Sequence, residues 1–416
     1  MGRKWTVAAY VRKCSYLAWL TALNYAIFVR YYNKSNLSFP RGWESILMPE
    51  RDLRLRRGEA FKAVPCSMTD NTRADPWCTV HPGTPKALYP ATLNSFSNAK
   101  LMTFTDNITT SSSNNTTTSL PDAAAAVARY QAVRHRMPAS TFPEHSIHRA
   151  NLEALCDEID CFVLDGFGVL NVGDDTVPGA VERVSNLRKM GKQVRVLTNG
   201  ASFPATRTRA KYEKWGMPFS ADEVVSSRDA LAVALKDKHH LRWGFVALDQ
   251  SEINTLCPDA VLLGDNPVDY ESCDGFVLLG AGTWTPEQQV LLADSLQVRP
   301  RPLLVGNPDL VAPHPGRLSQ EPGWYAHLIA DSGAVEPAFY GKPFDNAFEL
   351  IRHTVKGTDP QRIAMVGDTL HTDILGGAQA GWRTVLVTDH GLLKGMDVEK
   401  AIVDSAIRPD FIVPTT

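Results

Sequence analysis

The chain has 416 residues, of which 44% are hydrophobic and 21% charged, and its net charge is −2. This length allows about two or three domains with a sizeable core, and the composition is ordinary for a globular protein. The balanced charge argues against a nucleic-acid partner, which would need a basic surface. The seven cysteines form no CxxC pair, which favours reduced, buried thiols over a disulfide framework or a zinc site.

The N-terminal segment differs from the rest of the chain in its charge. The first 43 residues carry basic residues but no acidic one, and they include an apolar run at 15–29. That run is shorter than the roughly 20 residues that a membrane-spanning helix needs. A basic, acid-free segment resembles an organelle transit peptide, and a signal anchor or an extension without a targeting role are the alternatives. The sequence thus predicts a soluble core that is cytoplasmic or mitochondrial.

The region before residue 150 shows little sign of regular structure. Residues 65–145 lack a hydrophobic period, and the polar run at 109–122 is typical of disorder. We therefore predict that 1–145 is a largely disordered N-terminal extension. One helix, over residues 121–137, is expected to lead into the folded part.

Strand-like and helical patterns alternate from about residue 150 onward. Short apolar runs such as CFVL (161–164) and IAMVGD (363–368) predict strands, and the longer amphipathic runs between them predict helices. This alternation is typical of an α/β protein with a doubly wound parallel sheet. The last apolar run, within 409–416, is expected to form an edge strand.

A second α/β stretch interrupts this pattern at 229–337. It contains its own strand-like runs and the helical pattern PEQQVLLADSL at 286–296. We interpret it as an inserted α/β cap domain that covers the carboxyl edge of the main sheet. The core would then consist of two segments, 150–228 and 338–416.

Polar side chains follow four of the predicted core strands. In chain order these are Asp165, Thr198, Lys342, and the pair Asp368 and Asp373 in VGDTLHTD. Ligands of open α/β sheets bind at the carboxyl ends of the strands, so these side chains are expected to meet at one edge. Each also has an ordinary structural alternative, such as a surface lysine after a turn or an acid near a helix N-terminus.

In this order and at these strand ends, the residues resemble the motifs of the haloacid-dehalogenase-like phosphohydrolases. The resemblance is closest to the class IIA branch, the nitrophenylphosphatases and sugar phosphatases, whose cap is inserted between the Thr and Lys motifs as it is here. The segments TNGASFPATRTRAKYEKWGM, GNPDLVAPHPGRL and YGKP lie where that branch has comparable ones. The resemblance covers about 155–416. It implies a phosphatase for a small phosphate ester and a homodimer formed through the cap.

The resemblance also implies a role for each motif residue. Asp165 would be the nucleophile that forms an aspartyl-phosphate, with Thr198 and Lys342 as the other catalytic residues. Mg²⁺ is the expected cofactor, because hard oxygen ligands suit this ion. Its implied ligands are Asp165, the main-chain carbonyl of Phe167, Asp368 and Asp373, the last of which would orient the metal site or Lys342.

Four more residues are implied to contact the substrate. Asn199 and Gly200, directly after Thr198, would hold phosphate oxygens. Asn307 and Asp309, in the GNPD segment of the cap, are candidates for substrate specificity. The alternative is that the GNPD segment only builds a turn.

One position departs from the family pattern. Family phosphatases read DxDG, and their second Asp protonates the leaving oxygen and then activates water, but this chain has Phe167 there. Such acid–base help is worth about 10²–10⁴ in rate, or roughly 3–5 kcal/mol of barrier. Three functions stay open: a slow or substrate-restricted phosphatase, a binding or regulatory protein without turnover, and a phosphotransferase with an acceptor other than water. In the first, Asp174, Asp175 or His371 would replace the missing acid.

Overall fold

The computed structural model describes residues 121–416. The expected targeting segment, the low-complexity run up to residue 120 and the cysteines at positions 14, 66 and 78 lie outside the described residues. The four cysteines that are described, at positions 156, 161, 257 and 273, are all free thiols, as predicted for them. Every helix within 121–416 is too short or too polar to cross a membrane.

Helices and strands alternate along most of the described chain. The helices are α1 (Ala123–Ala132), α2 (Ala180–Lys189), α3 (Ala205–Lys214), α4 (Ser227–Leu235), α5 (Pro267–Ser272), α6 (Pro286–Val298), α7 (Pro322–Asp331), α8 (Asp345–Thr354), α9 (Leu375–Gln379) and α10 (Val398–Ser405). The strands are β1 (Ile147–His148), β2 (Cys161–Leu164), β3 (Asn171–Val172), β4 (Asp175–Thr176), β5 (Gln193–Thr198), β6 (Val224–Ser226), β7 (Trp243–Val246), β8 (Val261–Leu262), β9 (Gly275–Leu278), β10 (Leu303–Val305), β11 (Val311–His314), β12 (Arg317–Gln320), β13 (Ala338–Phe339), β14 (Ile363–Gly367), β15 (Arg383–Val387) and β16 (Phe411–Val413).

The core is a seven-stranded sheet in the order β1-β16-β15-β14-β2-β5-β6, and all its pairs are parallel. Buried apolar side chains cover both faces of this sheet, which is why its strands are continuous apolar runs. The predicted α/β class with a doubly wound parallel sheet is confirmed. The chain order reverses at β2, because β5 lies on one side of it and β14 on the other. Sheets of this kind bind ligands at that switch point.

A second sheet lies in the chain between β6 and the last three core strands. Its order is β13-β10-β9-β7-β8, again with parallel pairs, and it has an apolar core of its own. A hairpin of β11 and β12 follows β10. The strand β13 was assigned by sequence to the core segment that starts at 338, but it pairs with β10 of the second sheet. Two residues carry too little pattern to reveal that partner.

The prediction of disorder up to residue 145 is wrong for its last part. The expected helix is present as α1, and its apolar positions Ala126 and Tyr130 are buried, as is Val133 directly after it. The strand β1 pairs with the outer side of β16. The C-terminal strand is therefore internal to the core sheet, and the expectation that it forms the edge is also wrong.

Candidate active site

Two of the carboxylates in the site lie at the ends of neighbouring strands of the core sheet. Asp165 follows β2 and Asp368 follows β14, and these strands pair so that Leu164 lies opposite Val366. The turn after Asp165 is compact, since the Gly168 backbone has a φ of +80° and a Cβ there would lie 2.5 Å from the Asp368 Cγ atom. A glycine is therefore required at this position for both conformational and steric reasons.

Three carboxylates form one buried cluster at this edge. Asp165, Asp368 and Asp373 each offer an oxygen, and these oxygens lie within 4.8 Å of one another. Asp368 accepts hydrogen bonds from the Leu392 main-chain N (2.7 Å) and from the Thr369 Oγ1 (3.0 Å). Asp373 lies in a single π-helical turn, Leu370–Ile374, and accepts a hydrogen bond from the Thr369 main-chain N (3.2 Å).

The predicted lysine also reaches this cluster. The Lys342 Nζ lies 2.5 Å from the Asp165 Oδ1 and 2.7 Å from the Asp373 Oδ1, and the residue is only 1% exposed. The alternative of a surface lysine after a turn is thus wrong. Asn199 fixes the lysine backbone, since its Oδ1 accepts from the Lys342 N (2.8 Å) and its Nδ2 donates to the Lys342 O (3.0 Å).

Burial and like charge shift the pKa values of the cluster. Burial raises the pKa of Asp165 to about 8 in spite of Lys342, and burial together with Asp373 raises the pKa of Asp368 to about 7. Burial opposes the charge of Lys342, but the Asp165 and Asp373 carboxylates hold its pKa above the ordinary value. One ammonium does not balance three buried carboxylates, so the cluster favours either protons or an added cation.

The donor set fits a hard divalent cation. The three side chains that could hold a cation all offer carboxylate oxygens, the type that Mg²⁺ and Ca²⁺ prefer. Within 121–416 the Asp373 Oδ1 makes no hydrogen bond of good geometry, although the Lys342 Nζ lies nearby, so this buried oxygen is available as a ligand. The fourth expected ligand, the Phe167 carbonyl, belongs to the turn after Asp165, and its role stays a prediction.

The residues predicted to contact phosphate lie at the end of β5 or directly after it. The Thr198 Oγ1 accepts a hydrogen bond from the Gly200 main-chain N (3.1 Å), which leaves the hydroxyl hydrogen free to donate. The Asn199 Nδ2, however, already donates both its hydrogens, to the Asp309 Oδ1 (2.8 Å) and to the Lys342 O. These side-chain contacts position Lys342 and Asp309, and the contact of the Asn199 amide with phosphate stays a prediction.

The GNPD segment builds a turn, and the role of Asn307 and Asp309 in substrate specificity stays a prediction. The Asn307 Oδ1 accepts from the Asp309 N (3.0 Å) and its Nδ2 donates to the Glu321 Oε2 (3.1 Å), so Asn307 builds the turn. Asp309 reaches across to Asn199 in the core, and burial raises its pKa to about 8. The segment that follows β10 of the second sheet is thus joined to the core sheet directly beside Lys342.

An aromatic ring occupies the position of the missing acid. The Phe167 ring is half-buried, with the Lys211 Nζ 5.3 Å from its centroid and the His314 ring 6.3 Å away. Of the three suggested replacement acids, Asp174 and Asp175 are exposed. His371 is buried, its Nε2 lies 2.8 Å from the Gln131 Oε1, and burial lowers its pKa to about 3. A histidine so engaged is a poor proton donor.

Sequence reasoning missed the loop after β15. A Cβ at Gly391 would lie 1.8 Å from the Asp368 Oδ2, and the next residue, Leu392, donates its N–H to that oxygen. This loop follows a strand end of the core sheet. The strand-end rule that identified Asp165 would also have found Gly391, had it been applied to a residue without a polar side chain.

Comparison with known proteins agrees with this geometry. A model of the haloacid dehalogenase-like hydrolases matches residues 162–256, and a second model, of HAD-hydrolase-like proteins, matches 339–416. The first match includes β5 and most of β2, and the second includes Lys342 and β14. The resemblance to this superfamily is therefore confirmed.

Relatives with assigned names are similar to the same part of the chain. Phosphoglycolate phosphatase 2 of Arabidopsis thaliana is 28% identical over 64% of this chain and 94% of its own length. The dihydroxyacetone phosphatase of Corynebacterium glutamicum is 27% identical over 54% of this chain and 80% of its own. A crystal structure from Cytophaga hutchinsonii, described as a possible sugar phosphatase, superposes with a TM-score of 0.58 and 24% sequence identity. The match covers 65% of this chain and 98% of that one, and it shows that the two share a fold.

Proposed function

We propose that this haloacid-dehalogenase-like hydrolase is a Mg²⁺-dependent phosphatase that acts on a small phosphorylated metabolite through an aspartyl-phosphate. The observation that carries the proposal is the buried cluster of Asp165, Asp368 and Asp373 with Lys342 between two of its members. The names of the related phosphatases support the reaction type and the size of the substrate.

The Asp165 carboxylate would attack phosphorus, form an acyl-phosphate bond and expel the leaving oxygen. The Lys342 ammonium, which lies beside the attacking oxygen, would bind a phosphate oxygen and offset the repulsion between two anions. The Thr198 hydroxyl would donate to a second phosphate oxygen. When bound by Asp165, Asp368 and Asp373, the metal ion would supply further positive charge to the phosphate. Water attack on phosphorus would then restore Asp165.

The absence of an acid at Phe167 predicts a restricted substrate range. Leaving groups that are stable as anions, such as nitrophenolate, need no proton, whereas alkoxides do. Aryl phosphates should therefore react faster than alkyl phosphates by about 10²-fold or more, the usual range of general acid catalysis. Hydrolysis of the aspartyl-phosphate also lacks its base, so the first turnover should be faster than the later ones.

The test is phosphate release by the full chain from p-nitrophenyl phosphate and from alkyl phosphates, with Mg²⁺ or with EDTA. We expect Mg²⁺-dependent release and a burst of nitrophenolate that approaches one per protein. The matched control is Asp165→Asn, which keeps the size of the side chain and removes the nucleophile. Equal release by wild type and Asp165→Asn, or equal rates on the two ester classes, would contradict the proposal.

A binding or regulatory protein without turnover is the second candidate, and the observation that favours it is Phe167 itself. Such a protein would keep the cation and phosphate contacts and lose only the chemistry. It would bind Mg²⁺ and inorganic phosphate in calorimetry, yet give no burst with any ester. Transfer to an acceptor other than water, the third function, would appear as a phosphorylated alcohol in reactions supplemented with alcohols.

A further inference from the structure

Helix α1 lies outside both segments that match the family models, yet it contacts both the cap and the core. The buried face of α1, with Ala126, Tyr130 and Val133, forms one apolar cluster with cap residues Leu310 and Val311. Leu392, from the core loop after β15, belongs to the same cluster. This short helix therefore packs between the cap and the core, close to the active site.

Tyr130 is the centre of this contact. Its hydroxyl accepts a hydrogen bond from the Leu310 main-chain N (3.0 Å), and Leu310 directly follows Asp309. Its ring stacks on the His371 ring with a centroid distance of 5.1 Å and an interplanar angle of 15°. The neighbouring Gln131 places its Oε1 2.8 Å from the His371 Nε2. Burial raises the pKa of Tyr130, so the hydroxyl stays neutral.

Two core residues that pack with Tyr130, His371 and Leu392, lie beside carboxylates of the site. His371 lies in the π-helical turn between Asp368 and Asp373. Leu392 packs in the cluster with Tyr130 and donates its N–H to the Asp368 Oδ2 at 2.7 Å. A displacement of α1 would therefore be passed to the predicted cation ligands on the core side and to Asp309 on the cap side.

Polar contacts of α1 and of the turn that follows it, Arg134–Arg136, also hold this helix to both parts. Arg129 and Arg136 each approach the Asp331 carboxylate of α7 to 2.6 Å. The Gln131 Nε2 donates to the Asp404 O of α10 at 2.8 Å. The two arginines hold the helix against the cap, and Gln131 holds it against the core. Polar contacts therefore support the same packing as the buried apolar face.

We propose that Tyr130 is a positioning residue of the active site, which fixes the Asp309 loop of the cap against the loop that carries Asp368 and Asp373. Cap movement sets access and closure in many enzymes with lids. Here the cap cannot leave the core without breaking the Tyr130 hydrogen bond, the His371 stack or the α1 ion pairs. The kinetic part of this inference rests on the proposed phosphatase function, and its structural part does not.

The test compares full-length Tyr130→Leu and Tyr130→Phe with Tyr270→Leu. Tyr270 is an equally buried control, since both tyrosines are 1% exposed, and its hydroxyl donates to the Gly264 O inside the cap at 2.7 Å. Tyr130→Leu should weaken Mg²⁺ binding in calorimetry about 2- to 10-fold, the range that one lost hydrogen bond supports, and speed amide hydrogen exchange at Thr369 and Leu392. Tyr130→Phe, which keeps the ring, should raise KM for p-nitrophenyl phosphate more than it lowers kcat.

Unchanged Mg²⁺ affinity and unchanged exchange at these amides in Tyr130→Leu, relative to Tyr270→Leu, would overturn the inference. If Tyr130→Leu fails to fold, the double surface variant Arg129→Ala/Arg136→Ala decides instead. It should speed exchange of the Leu310 amide, and no acceleration there would overturn the inference. Mg²⁺ affinity and amide hydrogen exchange can both be measured without turnover. An inactive wild-type protein would therefore refute the proposed phosphatase function and leave this inference intact.

Discussion

Lys342 controls the charge balance of the site at the scale of single residues. Its ammonium lies between Asp165 and Asp373 and is buried with them. A divalent cation held by the same carboxylates would be repelled by this ammonium, since both are positive and water is largely excluded. The lysine is therefore expected to weaken cation binding while it favours phosphate binding.

This balance gives an unusual expectation for Lys342→Met. The variant should bind Mg²⁺ about tenfold more tightly or better, because it loses a competing charge worth at least about 1.4 kcal/mol, yet it should release no phosphate. Calorimetric titration with Mg²⁺ measures the first effect, and Lys211→Met, beside the Phe167 ring, is the control. Weaker Mg²⁺ binding by Lys342→Met would mean that the lysine organises the carboxylates rather than competing for them.

Phe167 is the residue that separates this chain from the family pattern. Phe167→Asp restores the carboxylate and should raise turnover of alkyl phosphates by about 10²-fold or more, because a general acid and base would then be present. Phe167→Asn is the matched control, with similar shape and no acid. The measurement is steady-state kinetics on an alkyl phosphate. If neither variant gains activity over wild type, or if both gain it equally, the missing acid does not limit turnover.

The positions of the key side chains could be predicted because a parallel sheet gathers its strand ends at one edge. Asp165 and Asp368 each follow an apolar run that forms a core strand, so this rule predicted that they meet. Lys342 follows β13 of the second sheet, and its place beside them was implied by the resemblance to the family motifs. The partners of Asn199 could not be predicted in this way. Its amide binds Asp309 and the Lys342 backbone, which are distant in sequence and have no pattern that pairs them with it.

The loop after β15 supports the cation site at the scale of structural elements. Its close approach to Asp368 depends on the absence of a side chain at Gly391. Gly391→Ala should displace the Asp368 carboxylate and raise the Mg²⁺ concentration for half-maximal activity about tenfold, a loss of roughly 1.4 kcal/mol of binding.

The control for this prediction is Gly264→Ala. A Cβ at Gly264 meets no atom within 4 Å, and neither glycine needs a positive φ, so the two substitutions change chain entropy alike. If the Mg²⁺ concentration for half-maximal activity is unchanged in Gly391→Ala, the loop can shift to accommodate the methyl group without moving Asp368.

The predictability of the elements follows their length and burial. Strands such as β2 and β14 are continuous apolar runs because helices cover both faces of the sheet, and the sequence indicated their bounds to within one residue. The strands β1 and β13 have two residues each, which is too short for any period. The helix α1 was predicted as an element, but its packing partners are set by tertiary contacts that no local pattern contains.

At the scale of the whole molecule, the buried carboxylates link stability to pH and to Mg²⁺. Without metal, the pKa values of Asp165 and Asp368 rise from an ordinary 3.8 to about 8 and about 7. A raised pKa favours the folded state at low pH, and this contribution is lost as the pH rises through the folded-state value. The protein in EDTA should therefore become less stable between pH 5 and pH 8.

Excess Mg²⁺ should reverse this trend, because it binds the deprotonated carboxylates of the folded protein. The increase in Tm caused by Mg²⁺ is thus expected to be small near pH 5 and to grow toward pH 8 in scanning calorimetry. Asp368→Asn should lose most of this increase. The same Mg²⁺-induced rise in Tm at both pH values would show that the ion binds elsewhere.

The proposed function requires that Asp165 and Asp368 hold one divalent cation in common. A crystal structure with Mn²⁺, which takes the same oxygen ligands as Mg²⁺, tests it through anomalous scattering. We expect a single strong peak in this pocket, with an oxygen of each aspartate at about 2.0–2.2 Å from it. A peak that contacts only one of the two, or a pocket with no peak at saturating Mn²⁺, would contradict it.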